Sequence, residues 1–272
     1  MRPVKTEVSV EIILVEVYME LKNEDRFTRK ADIYKKFRPT YPKEIIDYLY
    51  TQVGFNQEST IADIGSGTGI FSRLLLEQGS FVYCVEPNDD MRQVAERDLS
   101  EFENFASVNA PAENTGLQDK SVDFITAAQA FHWFDRQIFR SECRRILRSG
   151  GKVVIAWNTR DNESEVVKRE NSFREKYSIN KKGMQDGGKL ARDWSDFFAE
   201  GICEHKTCRN DLTLDHEAYI GINLSRSWAP REEQDSEKYQ GLINELGVLF
   251  DKYSVNGILK FPYFTQSYIG TL

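Results

Sequence analysis

Three glycines at alternate positions follow a short apolar run in the segment "IADIGSGTGIF" (61–71). Glycine lets a backbone turn tightly and lets another molecule approach it closely. A phosphate-binding loop of the G-x-x-x-x-G-K-[ST] type needs a lysine after its glycines, and none follows Gly65, Gly67 and Gly69. The dinucleotide fingerprint G-x-G-x-x-G has its third glycine one residue later than Gly69. The spacing therefore excludes a nucleotide-triphosphate loop and weakens the case for a dinucleotide.

Two acidic residues near these glycines restrict the ligand further. Glu86 lies at the end of the next apolar run, about 20 residues after Gly65, where a carboxylate can accept hydrogen bonds from both hydroxyls of a ribose. Asp63 lies two residues before Gly65. Its charge would repel a pyrophosphate but attract a ligand that carries an ammonium group and a sulfonium. The glycines and Glu86 together predict a site for an adenosine-containing cofactor.

Strand-like and helix-like segments alternate between Pro42 and Asn158. Apolar runs predict five strands, at "TIADIG", "FVYCVE", "FASVNA", "VDFITAAQA" and "KVVIAWN". Helical spacing is found in "PKEIIDYLYTQV", "IFSRLLLEQ", "PNDDMRQVAERDL" and "RQIFRSECRRILRSGG". Because the strands are apolar rather than alternating, we expect a parallel α/β sheet covered by helices on both faces. Such a sheet binds its ligand at the carboxyl ends of its strands.

The sequence changes character after Asn158. Residues 160–200 are charged and helix-leaning, which predicts a helical insertion or lid, and "CEHKTCRNDLTL" and "LKFPYFTQSYIGTL" have strand character. No internal repeat or low-complexity linker divides the chain. We therefore predict an N-terminal extension at 1–26 and a cofactor-binding core at 27–160. The insertion and closing strands of the same domain follow at 161–272.

Composition and charge restrict the partners and the compartment. The chain has 272 residues and a formal net charge of -7, which disfavours nucleic acid or an acidic membrane face as the main partner. The four cysteines are scattered, so we expect a reducing, cytoplasmic environment. "VSVEIILVEV" (8–17) is too short and too charged to span a bilayer. Residues 1–18 are interpreted as an extension that the fold does not need, and both a monomer and a homodimer stay open.

The segment "CEHKTC" (Cys203–Cys208) contains residue types that bind metals, and His205 and His216 could be further ligands. The spacing lacks a matching second pair of ligands, and the side chains of a strand alternate between its two faces. We therefore predict no metal site.

Several motifs in order resemble class I S-adenosylmethionine-dependent methyltransferases: "DIGSGTG", "VEPNDDM", "AENTGLQDKSVDFITAAQAFHWFD" and "ECRRILRSGGKVVIAWN". The "AFHWF" segment is similar to the small-molecule branch that includes trans-aconitate methyltransferase-like proteins. The resemblance runs from about Phe27 to the C-terminus. It implies a Rossmann-like, doubly wound, seven-stranded sheet whose last strand is antiparallel and pairs as a hairpin with the sixth, with the helical insertion before the sixth strand. It also implies S-adenosyl-L-methionine as cofactor and methyl transfer to a small-molecule acceptor, with a carboxylate as one candidate.

The same resemblance implies contacts with the methionine part of the cofactor. Gly65, Ser66 and Gly67 would lie against it, and Asp63 would support its amino group. Arg38, in "YKKFRPTYP" before the first helix, would pair with its carboxylate. The alternative for this segment is a solvated arm whose aromatic side chains pack on the edge of the sheet.

The resemblance further implies contacts with the adenosine part. Glu86 would hold the ribose, Ala112 and Glu113 would meet the adenine edge, and Gln129 would line the cleft beside the sulfonium. Pro111 departs from the family pattern. Because proline has no backbone donor, one hydrogen bond to adenine is expected to be missing or replaced.

His132, in "AFHWFD", follows the fourth predicted strand, where the transferred methyl group would face the acceptor. It is the candidate general base, since a histidine can have a pKa near neutrality. The alternative is a histidine that only closes the loop onto the following helix. Trp133 and Phe134 are expected to pack, with one of them as a wall of the pocket.

Three further residues complete the predicted acceptor site with Trp133. Tyr41 belongs to the segment before the first helix. Arg226, in "NLSRSWAP", could clamp a carboxylate through two parallel hydrogen bonds, with a surface salt bridge as the alternative. Trp228 would form a wall of the same pocket.

Two other functions are alternatives to methyl transfer: a nicotinamide-dependent oxidoreductase and a non-catalytic cofactor-binding module. The glycine spacing and the absence of a convincing proton-relay set disfavour the oxidoreductase. In methyl transfer, a carboxylate nucleophile would need no base, whereas a hydroxyl or an amine could need His132.

Overall fold

The computed structural model describes residues 39–178, 194–226 and 228–272. The first part of the chain alternates between helices and strands. Its elements are α1 (Lys43–Tyr48), β1 (Thr60–Ile64), α2 (Ile70–Leu76), β2 (Phe81–Val85), α3 (Asp89–Leu99), β3 (Phe105–Val108), β4 (Val122–Ala128), α4 (Arg136–Ile146) and β5 (Leu147–Arg160). The later elements are α5 (Glu165–Tyr177), β6 (Glu204–Arg209), β7 (Leu212–Leu214), α6 (His216–Leu224), α7 (Ser236–Tyr253), β8 (Leu259–Phe261) and β9 (Tyr263–Gly270).

A seven-stranded sheet has the order β3-β2-β1-β4-β5-β9-β6. The first five strands are mutually parallel, and β9 runs antiparallel to both β5 and β6. The chain builds the sheet outward from β1 to β3 and then returns to β4 on the other side of β1. The predicted fold is therefore confirmed, and ligands of such sheets bind where the strand order reverses.

The helical insertion predicted before the sixth strand is present, since α5 precedes β6. A further pair of helices, α6 and α7, follows β6. The strands β7 and β8 form a separate two-stranded sheet, so β6 and β9 pair without a short hairpin turn. The first helix differs from the prediction, because α1 continues as a π-helix (Leu49–Val53) that ends at Gly54, whose φ is 108°.

Apolar side chains form three buried clusters in the described residues. Two of them cover the two faces of the sheet, around Ile61 and Ile125 respectively. The third joins α5, α6 and α7 to the small sheet, with Tyr219 and Phe261 at its centre. The boundaries of the predicted extension and core stay predictions. Among the described helices, none combines the length and apolar composition that crossing a bilayer would require.

Candidate functional site

A cavity of about 610 Å³ lies at the carboxyl ends of β1, β2 and β4, within the usual size of small-molecule sites. Ten of the predicted site residues line it: Tyr41, Gly65, Ser66, Gly67, Glu86, Ala112, Glu113, Gln129, Trp133 and Arg226. Three others, Asp63, His132 and Trp228, are not in its wall. Arg38 lies outside the described residues. The structure therefore gathers most of the predicted site in one place.

The glycine loop after β1 is fastened to the end of β2. The amides of Gly65 and Ser66 both donate to the carbonyl oxygen of Val85, at 2.8 and 3.2 Å. Gly65 has φ +68°, and an added Cβ would lie 2.5 Å from Cβ of Ala130. Gly67 has φ +57°, but its added Cβ would meet no atom within 4 Å. Gly65 is therefore needed for packing, whereas Gly67 leaves open space for a ligand.

Glu86 is held rigidly at the end of β2. Its Oε2 accepts a hydrogen bond from the amide of Gly67 and its Oε1 accepts one from the amide of Asn88, each at 2.9 Å. Each carboxylate oxygen has two acceptor positions, so a bond to a backbone amide does not by itself prevent that oxygen from accepting another hydrogen bond. Asn88 in turn caps α3 by accepting from the amide of Met91. The predicted ribose anchor is thus fixed before any ligand binds.

Asp63 lies behind the glycine loop. Its side chain is fully buried, and its two oxygens accept hydrogen bonds from Ser72 Oγ at 2.5 Å and Thr126 Oγ1 at 2.7 Å. These bonds join β1 to α2 and β4 under the loop. Burial raises the pKa of Asp63 from 3.8 to about 6, although the two hydroxyl groups lower it. The geometry favours support of the loop over direct ligand contact, and the predicted contact with an amino group stays a prediction.

The raised pKa of Asp63 makes stability depend on pH. Because the carboxyl binds its proton more tightly in the folded chain than at the ordinary value of 3.8, its stabilising contribution is present below pH 4 and is lost as pH rises through about 6. The comparison is between the unfolding free energies of the wild type and of Asp63→Asn. From pH 4 to pH 7, we expect the wild type to lose about 2–3 kcal/mol of stability relative to the variant. Urea denaturation of both proteins measures it. A difference that stays constant with pH would contradict the assignment.

Glu113 connects the loop after β3 to the beginning of α4. Its Oε1 accepts a hydrogen bond from the amide of Asp135 at 2.7 Å, and Asp135 caps α4. Ala112 is buried beside it. One oxygen of Glu113 is therefore already engaged, and this pair reaches the cavity together with Pro87 and Pro111.

Gln129 follows β4 in a backbone conformation that side chains rarely adopt, with φ +59°. Two hydrogen bonds to the end of β5 hold it there. Its amide donates to the carbonyl oxygen of Ala156 and its Nε2 to that of Asn158, each at 2.9 Å. Such strain is often found at functional sites, and here it lies in the cavity wall.

His132 lies in a short 3₁₀ turn (Phe131–Trp133), behind two aromatic residues that line the cavity. Its ring centroid is 4.4 Å from that of Trp133 and 4.9 Å from that of Trp157. This position favours the alternative in which the histidine closes the loop. The role of general base stays a prediction.

Arg226 contributes a guanidinium group to the opposite wall. Its side chain is 19% exposed, and its Nη2 lies 3.8 Å from Oε1 of Glu170. The same nitrogen donates to the hydroxyl of Tyr263 at 3.5 Å. Burial lowers the pKa of Arg226, but the charge of Glu170 and the contact with Tyr263 outweigh it and raise the pKa. The surface salt bridge considered above is wrong, because Glu170 is only 1% exposed.

A further arginine, missed in the sequence, bonds the same carboxylate. Arg160 lines the cavity at the end of β5, and its Nη1 donates to Oε2 of Glu170 at 2.7 Å. Arg174 lies near this pair, since burial and the charges of Arg160 and Arg226 lower its pKa. In the cavity wall itself, the two guanidinium groups of Arg160 and Arg226 share one carboxylate. This excess of positive charge favours an anionic ligand at this wall.

One unsatisfied polar atom marks the same wall. Among the described residues, Nε of Arg226 is buried without a hydrogen-bond partner. Buried polar groups normally have partners, so the wall retains an unused donor. Trp228 does not contribute, because it is buried in the third apolar cluster instead. Across the described stretches of the chain, no group of three or more His, Cys, Asp and Glu residues could hold a metal ion.

Comparison with known proteins identifies the family. Residues 62–155 match the methyltransferase domain family. An uncharacterized methyltransferase-like protein of Schizosaccharomyces pombe is 30% identical over 252 residues, which cover 90% of this chain and 95% of that protein. An uncharacterized methyltransferase of Mycobacterium tuberculosis is 37% identical over 135 residues, which cover 50% of this chain and 53% of that protein. The chain thus spans about half the length of the Mycobacterium relatives it matches.

A solved structure extends the likeness at the level of the fold. A candidate type II methyltransferase from Anaeromyxobacter dehalogenans superimposes with a TM-score of 0.59 at 21% identity, over 86% of this chain and 96% of that one. The motifs, the strand order and the full-length relative therefore agree. The chain belongs to the methyltransferase family, which confirms the resemblance to class I S-adenosylmethionine-dependent methyltransferases.

Proposed function

We propose that the chain transfers a methyl group from S-adenosyl-L-methionine to a small-molecule acceptor that carries a carboxylate. The observation that carries this proposal is one cavity with two chemically different walls. The glycine loop and Glu86 form one wall, and Arg160 and Arg226 belong to the other. The first suits an adenosine-containing cofactor and the second an anion.

The residues of the first wall fit this cofactor. Within the described part of the chain, the buried hydroxyl groups of Ser66 and Thr68 have no hydrogen-bond partner, and Gly67 faces open space. These groups would hold the methionine part. Glu86 would hold the ribose, and Ala112 would lie at the adenine end.

When bound, the cofactor supplies a methyl group on a sulfonium, which is a good leaving group for in-line displacement. The residues of the chain then serve to bind, orient and exclude water. Arg226 and Arg160 would hold the acceptor anion through charge-assisted hydrogen bonds. Trp133 and Trp157 would exclude water from the same space. A carboxylate is already a nucleophile, so this proposal needs no general base and is compatible with the position of His132.

The proposed partner is a small metabolite because the arginines line a cavity of about 610 Å³, which is the usual size of a small-molecule site. All four cysteines are free thiols, and their scatter supports a proposed cytoplasmic location. Whether the chain acts as a monomer or a homodimer stays a prediction.

The test uses methyl-labelled S-adenosylmethionine and a metabolite extract, with mass spectrometry of the products. We expect a labelled product that carries one negative charge less than its acceptor and whose label is released by mild base, as from a methyl ester. Tight binding of NAD without binding of S-adenosylhomocysteine would instead favour an oxidoreductase. Cofactor binding with no labelled product would favour a non-catalytic module.

Arg226→Gln sharpens this test. We expect it to reduce labelled product by about tenfold or more, because a charge-assisted contact is lost, while S-adenosylhomocysteine binding is retained. Arg209→Gln is the matched control, since Arg209 is half-exposed on β6 and pairs with Asp161 and Asp211. Equal effects of the two substitutions would contradict the assigned role.

Two glycines of the loop give a second, matched prediction. Gly67→Ala would place its Cβ in open space, whereas Gly69→Ala would bring its Cβ to 2.7 Å from Leu99 Cδ1. Both positions have positive φ, so both variants lose roughly 1 kcal/mol to backbone strain. We expect Gly67→Ala to weaken S-adenosylhomocysteine binding by about tenfold or more, since the added methyl group fills space for the ligand. We expect Gly69→Ala to lose more stability than Gly67→Ala. Calorimetric titration and thermal melting separate the two effects, and reversed results would refute the geometry.

A further inference from the structure

A short stretch at the mouth of the cavity is fastened by side chains rather than by strand pairing. We call residues 39–41 the rim segment; they belong to no helix or strand. Pro39 and Tyr41 line the cavity. The ring of Tyr41 packs edge-on against Phe71, with centroids 4.8 Å apart. Because Phe71 belongs to α2, the rim segment rests on the helix that follows the glycine loop.

Asn158 fastens the rim segment from the opposite side. Its Nδ2 donates to the carbonyl oxygens of Thr40 at 3.2 Å and of Pro39 at 3.4 Å. Asn210 donates a second hydrogen bond to the carbonyl oxygen of Thr40, at 2.9 Å. Asn158 lies near the end of β5 and is itself in the cavity wall. The rim segment therefore bridges the cavity from α2 to β5.

The side chain of Asn158 is fixed from below. Its Oδ1 accepts hydrogen bonds from Thr265 Oγ1 and from Asn210 Nδ2, the latter at 3.2 Å. Its backbone oxygen accepts from Gln129 Nε2. Asn158 is buried and Thr265 is fully buried. With its acceptor oxygen occupied by β9 and the loop before β7, the amide nitrogen is directed at the rim segment.

We propose that Asn158 is a positioning residue that latches the rim segment across the cavity and so sets the rate at which the cofactor is exchanged. The inference rests on the proposed function. A segment held by a few side-chain hydrogen bonds opens more readily than a paired strand. Opening of such covering segments often limits product release in enzymes.

Stopped-flow displacement of S-adenosylhomocysteine tests the latch. We expect Asn158→Ala and Asn210→Ala to raise the dissociation rate, by about tenfold for Asn158, because each removes a donor to Thr40. Thr265→Val is the matched comparison. It removes a hydrogen bond that orients Asn158 but no donor to the rim segment, so we expect its dissociation rate to rise clearly less than that of Asn158→Ala.

Hydrogen exchange of the ligand-free protein provides the second measurement. Amides of Thr40 and Tyr41 should exchange faster in Asn158→Ala and Asn210→Ala than in Thr265→Val. Asn210 is not in the cavity wall, so its variant separates loosening of the latch from loss of a direct ligand contact. If Asn158→Ala fails to fold in a thermal melt, Asn210→Ala decides.

Dissociation rates and exchange that are alike in all three variants would overturn the latch. If the wild type does not bind S-adenosylhomocysteine at all, the proposed function fails, and the exchange measurement still decides whether these bonds hold the rim segment.

Discussion

Replacing Glu86 with alanine is expected to weaken S-adenosylhomocysteine binding by about 100-fold or more. Hydrogen bonds to a charged group contribute roughly 1.5–3 kcal/mol each, and a ribose would lose two of them. The substitution also removes the acceptor for the amides of Gly67 and Asn88, so the glycine loop loses its fixed shape. Isothermal titration calorimetry measures the affinity, and thermal melting shows whether the protein remains folded.

Two other substitutions serve as comparisons for the affinity of Glu86→Ala. Glu86→Gln keeps the shape but loses the charge and one acceptor oxygen, so we expect an intermediate affinity. Glu113→Gln is the matched control, because Glu113 also lies in the cavity wall but engages the amide of Asp135. We expect it to weaken binding by less than about fivefold. If Glu86→Ala and Glu113→Gln bound S-adenosylhomocysteine with equal affinity, the assignment of Glu86 to the ribose would be wrong.

Replacing Glu170 with glutamine is expected to destabilise the protein by about 3–5 kcal/mol, the usual cost of removing one partner from a buried ion pair. Glu170 is 1% exposed and bonds Arg160, whose side chain is 18% exposed. Without it, Arg160 and Arg226 would repel each other and lose the carboxylate that they share. Urea denaturation measures the loss.

Two further variants test the cause of this loss of stability: one at an exposed carboxylate and one double variant. Glu245→Gln removes a more exposed carboxylate that pairs with Lys176, and we expect a cost below about 1 kcal/mol. Removing one repelling charge in the double variant Glu170→Gln/Arg160→Gln should recover part of the lost stability. If Glu170→Gln were as stable as Glu245→Gln, the proposed charge imbalance would be wrong.

Local chemistry explains why the cavity wall made of the glycine loop and Glu86 could be predicted from the sequence. Gly65 and Gly67 need positive φ, and Glu86 ends a buried strand, so a few neighbouring residues define each position. Apolar strands alternating with amphipathic helices then determine a parallel sheet, whose carboxyl edge collects these residues. The doubly wound sheet with its antiparallel last strand required no information beyond this pattern and the family resemblance.

The opposite wall, which contains Arg160 and Arg226, could not be predicted in the same way. Arg160 and Glu170 meet only because α5 packs against the end of β5, and the chain has 36 lysines and arginines with no local mark of burial. Adjacent positions in a turn also point in different directions. The motif therefore located His132 and Trp133 near the cavity but could not show that only the tryptophan reaches its wall.

The two walls of the cavity come from different lengths of chain. Residues 65–134 supply the wall that we propose for the cofactor and lie within the matched domain at 62–155, whereas Arg160, Arg226 and Tyr263 lie beyond it. Exchange of these three side chains would alter the charge of the opposite wall while the glycine loop and Glu86 keep their positions. A change of acceptor would then require substitutions in the C-terminal part of the chain and none in the matched domain.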